Sequence, residues 1–322
     1  MPATDADLTQ ILQQHAMAGG RYVLLGIPED IGPRANGGMS GAAEAWPAFL
    51  QRFVNLQHNG LLPVQQILLL GSINCDDLLP ENEASATTPT LQQLRTACAE
   101  LDKRVEPVVT AIFVAGLIPI VIGGGHNNAL PMLSALCQFS GSPVNCLNLD
   151  PHADCRPLEG RHSGNGFSYA FEQQLLEKYM VLGLHEQKNS SATLGCLTRH
   201  KADYLSYQAI FVRQILSWQQ AIEQALDSIC QEQHLIGLEV DVDCINSAPA
   251  SALTYQGISL SAAEQCVYQT ARIPACRYLH LAEAAPAQHP AGLTAGYQQV
   301  GQLLTALVLA FIEGKQQQAQ AI

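Results

Sequence analysis

The stretch VNCLNLDPHAD, residues 144–154, contains the pattern that decides the fold. Its first part is a short, mainly apolar run without regular polar alternation, which is typical of a strand buried on both faces of a parallel sheet. Its last part alternates polar residues, and residues i and i+2 of an extended chain point to the same side. Asp150, His152 and Asp154 can therefore converge on one point beyond the end of the strand.

Further runs of the same kind, rich in β-branched residues or leucine, predict more strands, with helical segments between them. Including the first run, the predicted strands are residues 22–27, 67–70, 118–122, 144–149, 180–184, 209–212, 235–240 and 277–282. The clearest predicted helices are residues 91–112, with a kink expected at Pro107, and residues 295–312. Eight strands alternating with helices predict a parallel α/β fold. We expect a single domain over residues 1–322, with a surface loop near 82–89 and a frayed tail from 316.

The charge and composition of the chain argue against several classes of partner. Its 322 residues include 16 basic and 28 acidic side chains, and the net charge of −12 disfavours nucleic acid and anionic membrane surfaces. The longest apolar stretch, residues 108–122, is too short to span a bilayer and is broken by Gly116 and Pro119. The first residues lack a signal-peptide pattern, and the ten cysteines include no C-x-x-C pair. We therefore expect a cytoplasmic protein with reduced thiols.

Three other predicted strands also end in polar residues, at the edge where parallel sheets bind ligands. The third strand leads into GGGH, which ends at His126, and the seventh leads into DVD, which contains Asp241 and Asp243. The eighth strand is followed by Glu283. The glycines before His126 allow a tight turn that brings this histidine close to the other polar groups.

Two histidines and four aspartates at one sheet edge predict a site for two divalent cations. These residues are His126, Asp150, His152, Asp154, Asp241 and Asp243. Four carboxylates in one place repel one another strongly unless cations offset their charge. Oxygen ligands with some imidazole suit Mn²⁺ better than a structural zinc ion, which favours cysteine and histidine.

These motifs resemble the signatures of the ureohydrolase family, which includes arginase, agmatinase and formimidoylglutamase. The family patterns G-G-x-H, D-x-H-x-D and S-x-D-x-D correspond to GGGH at 123–126, DPHAD at 150–154 and EVDVD at 239–243. LLGIPEDIGPRANGG at 24–38 resembles the first strand and loop of the family. LAEAAP at 281–286 resembles the segment that carries its guanidine-binding glutamate. The resemblance implies an arginase-like, three-layer α/β/α fold around an eight-stranded parallel sheet.

The resemblance covers about residues 22–314 and implies a hydrolase with two Mn²⁺ ions per chain. The implied ligands are Asp150 and Asp241 as bridges, His126 and Asp154 for one ion, and His152 and Asp243 for the other. The ions would supply a nucleophile that attacks a guanidinium or amidinium carbon. Glu283 would pair with the cationic nitrogen atoms of the substrate and position that carbon. Asp154 would orient the attacking water and is one candidate for the proton shuttle.

The segment RHSGNGF, residues 161–167, contains a second candidate shuttle, His162. A surface or substrate-shaping role is the alternative for this histidine. Agmatinase-like members place a histidine beside the glycine of an H-G-T-P-F segment, whereas Ser163 separates His162 from Gly164. The segment therefore resembles the S-S-G-T-P-F form of formimidoylglutamases.

Nearby polar residues are candidates for binding the rest of the substrate. Arg156 fits the D-A-H-F-D-x-R segment of formimidoylglutamases, and Arg156 or Arg161 could bind a substrate carboxylate through two nitrogen atoms. A structural ion pair is the alternative for these arginines. Asn165 is the remaining predicted substrate ligand.

The chain also departs from the family pattern next to the expected substrate pocket. Glu239 replaces the serine of S-x-D-x-D, Asn246 and Ser247 replace the following Asp-Pro, and Pro151 replaces the alanine of D-A-H. The metal ligands are unaffected by these changes. These departures therefore bear on which substrate is bound and not on the type of site.

The function best supported by these residues is hydrolysis of a C–N bond in a small-molecule amidine. The preferred substrate is N-formimino-L-glutamate, which would give glutamate and formamide. The alternative is an arginase- or agmatinase-type hydrolase that releases urea from a guanidino compound. Two other classes stay open: a catalytically silent metal-binding protein, and a deacetylase-like amide hydrolase with a single zinc ion. The resemblance also suggests a homo-oligomer.

Overall fold

A computed structural model describes residues 5–79, 88–230 and 233–320 of the chain. These ranges contain eight strands in one sheet, and neighbouring strands are parallel. The strands are β1 (Tyr22–Gly26), β2 (Ile67–Ser72), β3 (Ile118–Ile122), β4 (Val144–Leu149), β5 (Leu176–Leu184), β6 (Asp203–Ser206), β7 (Ile236–Asp241) and β8 (Cys276–Ala282). Their order across the sheet is β2-β1-β3-β8-β7-β4-β5-β6. The predicted eight-stranded parallel sheet is confirmed.

Helices cover both faces of this sheet. In the described ranges they are α1 (Asp5–Met17), α2 (Ile31–Ala35), α3 (Ala45–Phe53), α4 (Leu91–Val114), α5 (Ala129–Ser140), α6 (Gly166–Glu172), α7 (Ser191–Arg199), α8 (Trp218–Ile229), α9 (Leu260–Ala271) and α10 (Leu293–Gln320). Leu24 of β1 lies in a core with buried residues of α3, α8, α9 and α10. Its neighbours Val23 and Leu25 lie in a second core with α1, α4, α5, α6 and α7. Strand alternation thus separates two cores and produces the predicted three-layer α/β/α fold.

The sixth strand differs from the prediction. The apolar run at 209–212, predicted as a strand, lies in a π-helical turn at Gln208–Val212, whereas β6 is residues Asp203–Ser206. β6 lies at the edge of the sheet, next to β5. Asp203 and Tyr204 at its start are exposed, as is common in edge strands, which are often short and charged. The apolar pattern that marks the central strands is therefore missing from β6.

The helix boundaries also differ from those predicted. α4 runs through Pro107 as far as Val114, and α10 continues to Gln320, so most of the tail expected to be frayed is helical. Most of the loop predicted near 82–89 lies outside the described residues. Among the described residues, one segment of α10, Leu293–Gln317, is long and apolar enough to cross a membrane. This helix packs against α3 and α9, and 56% of its most apolar window is buried within the protein.

Candidate metal centre

Two rows of polar residues cross the sheet near its carboxyl edge. The register of β4, β7 and β8 pairs Asn148 with Glu239 and Glu239 with His280, and we call these three buried residues the inner polar row. Asp150 lies two residues after Asn148 and directly follows β4. Asp241 lies two residues after Glu239 and ends β7. Because residues i and i+2 of a strand point to the same face, the inner polar row lies behind these two aspartates.

One histidine, His126, lies fully buried against three aspartates. Its Nδ1 atom is 3.1 Å from Oδ2 of Asp150, 2.8 Å from Oδ2 of Asp154 and 3.6 Å from Oδ2 of Asp241. Ligand atoms of these four residues all lie within 4.8 Å of one another. Neither ring nitrogen of His126 has a hydrogen-bond partner of good geometry within the described ranges. We call these four residues the enclosed half of the centre.

The other histidine, His152, lies on the solvent side. Its side chain is 25% exposed, and its Nδ1 atom is 3.9 Å from Oδ2 of Asp243 and 3.5 Å from Oδ1 of Asp150. Ligand atoms of His152, Asp241 and Asp243, which we call the open half, also lie within 4.8 Å of one another. Asp241 belongs to both halves, and Asp150 directs one carboxylate oxygen towards each histidine. The geometry therefore suits two ions with two shared aspartates.

Burial and mutual repulsion act on the carboxyl groups of the centre. Burial, together with Asp243 and Asp150, raises the pKa of Asp241 well above its ordinary value, and burial with Asp150 raises the pKa of Asp154. Burial raises the pKa of Asp243 to about 6, against the opposing effect of His152. Two divalent cations would remove both the repulsion and the cost of burying charge. The donor set, in which neither ring nitrogen of His126 has a hydrogen-bond partner among the described residues, fits such a pair of ions.

The loop that carries His126 is bound to the segment after β8. The backbone N–H of His126 donates to Oε1 of Glu283 at 2.7 Å, and the N–H of Glu283 donates to the carbonyl of Gly124 at 2.9 Å. Glu283 has φ +65° and Asp154 has φ +46°, a left-handed conformation that is uncommon outside glycine. Such strained backbone positions cluster at functional sites. Burial, followed by the charge of Asp243, raises the pKa of Glu283 to about 8.

Glu29 holds the same loop from the other side. Its buried carboxylate accepts hydrogen bonds from the N–H of Gly125 at 2.7 Å, the side chain of Asn128 at 2.8 Å and the N–H of Gly32 at 3.0 Å. A Cβ atom on Gly124, which has φ +76°, would lie 2.7 Å from this carboxylate. Sequence reasoning missed Glu29, although an acidic residue just after β1 in a chain with few charges was a usable signal.

A cavity of about 610 Å³ opens over the centre. Of the predicted site residues, its wall contains His152, Asp154, Arg156, Asp241, Asp243 and Glu283. Lys188, Ser190, Thr193 and Ser251, which the sequence did not indicate, also line it. The Ser251 hydroxyl donates a hydrogen bond to Oε2 of Glu283, so both oxygen atoms of this carboxylate are held in place. A second cavity of about 620 Å³, between α3 and α10, contains neither histidine nor acidic residues in its wall.

Two predicted substrate ligands, Arg161 and Asn165, lie outside the wall of this cavity. Arg161 is buried and bonded to Asp102 at 2.8 Å, to Oδ1 of Asn165 at 3.0 Å and to the carbonyl of Asn127 at 2.7 Å. The side chain of Asn165 donates in turn to the carbonyl of Gly160 at 2.8 Å. These groups hold the loop before α6 and leave the guanidinium no free face for a substrate. The structural ion pair considered for Arg161 is the arrangement observed.

His162, the second candidate proton shuttle, is likewise absent from the wall of the cavity. The ring is fully buried, its Nδ1 accepts a hydrogen bond from the N–H of Gly164 at 3.1 Å, and its Nε2 lies 3.3 Å from Glu159. Burial and the charges of Arg156 and Arg95 lower the pKa of His162 to about 4. The neutral form that this lowered pKa favours accepts the hydrogen bond from Gly164 and caps the turn.

Comparison with known families agrees with the fold and the motifs. A model described as the arginase family matches residues 21–304 of the chain. A formimidoylglutamase from Streptococcus pyogenes serotype M3 is 27% identical over 253 residues, which cover 74% of this chain and 70% of that protein. A formimidoylglutamase from serotype M6 of the same species is 29% identical over 254 residues, with the same coverage.

Solved structures similar to this chain have the same fold. Formiminoglutamase from Trypanosoma cruzi, crystallised with two Mn²⁺ ions, superposes with a TM-score of 0.73 at 20% identity, covering 92% of this chain and 93% of that one. Formimidoylglutamase from Bacillus subtilis gives a TM-score of 0.75 at 16% identity, with coverage of 92% and 88%. Proclavaminate amidino hydrolase from Streptomyces clavuligerus gives 0.70 at 14% identity, with coverage of 94% and 93%.

Proposed function

The chain belongs to the arginase family, and on this premise we propose that it is a hydrolase that uses two Mn²⁺ ions to cleave a C–N bond of a linear amidine. The observation that carries the proposal is a pair of half-sites beneath an open cavity, which share Asp241 and between which Asp150 directs one carboxylate oxygen towards each histidine. His126 and Asp154 would hold one ion, and His152 and Asp243 the other. When bound, such a pair of ions acts as a Lewis acid and lowers the pKa of water so that a nucleophile forms near neutral pH.

The side chains in the wall of the cavity would position and protonate the substrate. Glu283, held by His126 N–H and Ser251, would accept hydrogen bonds from the cationic nitrogen atoms of an amidinium and place its carbon over the centre. Asp154 faces both His126 and the cavity, so its carboxylate could hold a proton and release it to the leaving amine.

We propose N-formimino-L-glutamate as the substrate, with glutamate and formamide as products. Arg156 and Lys188 line the cavity and offer two cationic groups to the two carboxylates of this compound. The relatives named formimidoylglutamase support the same choice. A cationic guanidino substrate such as agmatine would find these two positive charges unfavourable.

Purified protein loaded with Mn²⁺ and assayed against N-formimino-L-glutamate, arginine and agmatine tests this choice. We expect formamide from the first compound, inactivation by a chelator and recovery on addition of Mn²⁺. Release of urea from arginine or agmatine, with no formamide, would assign the chain to the guanidino hydrolases instead. Two bound ions without hydrolysis of any amidine would support a silent metal-binding protein, and a single zinc ion would favour a deacetylase-like hydrolase.

The cellular location and the assembly state are further proposals. Ten free cysteines, all within the described ranges, support a cytoplasmic location. Exposed apolar side chains near the edge strand β2, namely Val54, Leu61 and Leu69, support a homo-oligomer. Light scattering coupled to gel filtration would measure the assembly state directly.

A further inference from the structure

A buried carboxylate stands behind the enclosed half of the centre. The Oε1 atom of Glu239 accepts a hydrogen bond from the Tyr278 hydroxyl at 2.6 Å, and its Oε2 atom is 2.6 Å from Nδ1 of His280. The same Oε2 atom lies 3.3 Å from Nε2 of His126. All four side chains are fully buried. Glu239 thus connects the inner polar row to a predicted metal ligand.

A buried carboxylate at this position must be stabilised by its neighbours, because burying a charge is costly unless it is paired and hydrogen-bonded. The family pattern S-x-D-x-D has a serine here, which is neutral and shorter than glutamate. His280 occupies a position in β8 whose strand neighbours, Leu279 and Leu281, are apolar. Tyr278 and His280 therefore offset the cost of burying the Glu239 carboxylate. Glu239 is the member of this set that lies against His126 of the centre.

The two ring nitrogens of His126 face opposite surroundings. Nδ1 faces Asp150, Asp154 and Asp241, whereas Nε2 faces Glu239. A histidine that ligates a metal usually directs its second nitrogen to a carboxylate or carbonyl, which sets the tautomer and the orientation of the ring. We propose that Glu239 is a positioning residue whose negative charge, 3.3 Å from Nε2, favours the proton of His126 on that nitrogen and leaves Nδ1 free for one of the two ions.

This inference rests on the proposed metal centre, and it predicts that a change at Glu239 affects the two ions unequally. Glu239 contacts His126 in the enclosed half, whereas His152 in the open half lies against Asp150, Asp243 and the cavity. Loss of the Glu239 carboxylate should therefore weaken the binding of one ion and leave the binding of the other unchanged. Loss of a residue needed only for folding would weaken the binding of both ions or of neither.

Titration of the metal-free protein with Mn²⁺, followed by calorimetry and electron paramagnetic resonance, tests the proposal. We expect the wild type to bind two ions. Glu239→Ser should bind one of them about 10–100-fold more weakly, with loss of the spectrum of the coupled pair. Glu239→Gln retains an acceptor oxygen for His126 and should lose less affinity, and it remains informative if the serine variant does not fold.

Tyr278→Phe is the matched control, because it removes a hydrogen bond to Glu239 without altering the contact between Glu239 and His126. Its affinity for both ions should stay close to that of the wild type. Equal weakening of both ions, or unchanged binding in both Glu239 variants, would overturn the positioning role. Three ions in the wild type would also overturn it, since Glu239 and His280 would then be ligands. Fewer than two ions in the wild type would contradict the proposed function itself.

Discussion

The enclosed half and the open half of the centre use the same residue types in different surroundings. His126 has no exposed surface and lies in front of the buried Glu239 of the central strand β7. His152 is 25% exposed in its side chain, and loop contacts hold its segment. There Asn189 donates to the carbonyl of Pro151 at 2.9 Å and accepts from the N–H of Ala153 at 2.9 Å.

This difference indicates that the two halves have different tasks. The sheet interior holds His126 rigidly, since its neighbours are close-packed and hydrogen-bonded. The loops around His152 leave space for about 610 Å³ of cavity, where a substrate can enter. We therefore expect the enclosed half to provide a fixed ion and the open half an ion that exchanges and responds to substrate more readily.

The largest loss of activity is expected from a change at Asp150, which lies between the two halves. Asp150→Ala removes a carboxylate that faces both histidines, so both ions should bind weakly. We expect kcat/KM to fall at least about 10³-fold, because the ions stabilise the transition state by several kcal/mol. Metal analysis and steady-state kinetics would measure this, with Asp227→Ala on the exposed face of α8 as a control. Two tightly bound ions in Asp150→Ala would show that the halves do not share this residue.

A change confined to the open half should separate the two ions. We expect His152→Ala to retain one ion per chain and lose the other, and kcat/KM to fall about 10²-fold or more as one Lewis acid is lost. Mn²⁺ titration would measure the stoichiometry, and His58→Ala, at an exposed position, is the control. Loss of both ions together would show that the two halves bind metal as one cooperative unit.

Acidity should destabilise the metal-free protein less than alkalinity does, because Asp243 and Glu283 retain their protons to higher pH in the folded state than in the unfolded chain. The folded pKa of Asp243 is about 6 and that of Glu283 about 8, both above their ordinary values. A raised folded pKa contributes stability below the unfolded value, and that stability is lost as the pH rises through the folded value. We expect the Tm of metal-free protein to fall by at least about 2 °C between pH 5 and pH 8.5.

Mn²⁺ is the control for this pH dependence. Bound cations offset the carboxylate charge, so the same change of pH should lower the Tm of the loaded protein less. Thermal unfolding followed by circular dichroism would compare the two forms. Parallel pH profiles of the Tm with and without metal would show that these carboxyl groups do not cause the pH dependence.

The smallest effect is expected at the outer wall of the cavity. Arg156 is bonded to the side chain of Asn36, and its side chain is 47% exposed, so solvent weakens its interaction with a substrate carboxylate. We expect Arg156→Gln to raise KM for N-formimino-L-glutamate about five- to ten-fold with little change in kcat. Arg199→Gln, at the exposed end of α7, is the control. A fall in kcat without a change in KM would place Arg156 closer to the reacting atoms.

Local patterns predicted the strands of the sheet interior and the ligands that follow them. Central strands are mainly apolar on both faces, and alternation after a strand, as in Asp150, His152 and Asp154, is visible in the sequence alone. The same reasoning failed for β6, because an edge strand can be polar. It did not determine where Arg161 and His162 lie, because a polar residue near a site can face either the cavity or the loop that supports it.

The sequence by itself determined the fold class, the position of seven strands and the six residues proposed to bind the ions. Hydrophobic spacing and the short-range geometry of extended chain are sufficient for these features. Only the tertiary structure decided that the chain's third, eighth, seventh and fourth strands are neighbours, which joins the ligands into two half-sites. It also decided that Glu239 faces His126 while Arg161 faces Asp102, since strand pairing and loop conformation depend on contacts between residues distant in sequence.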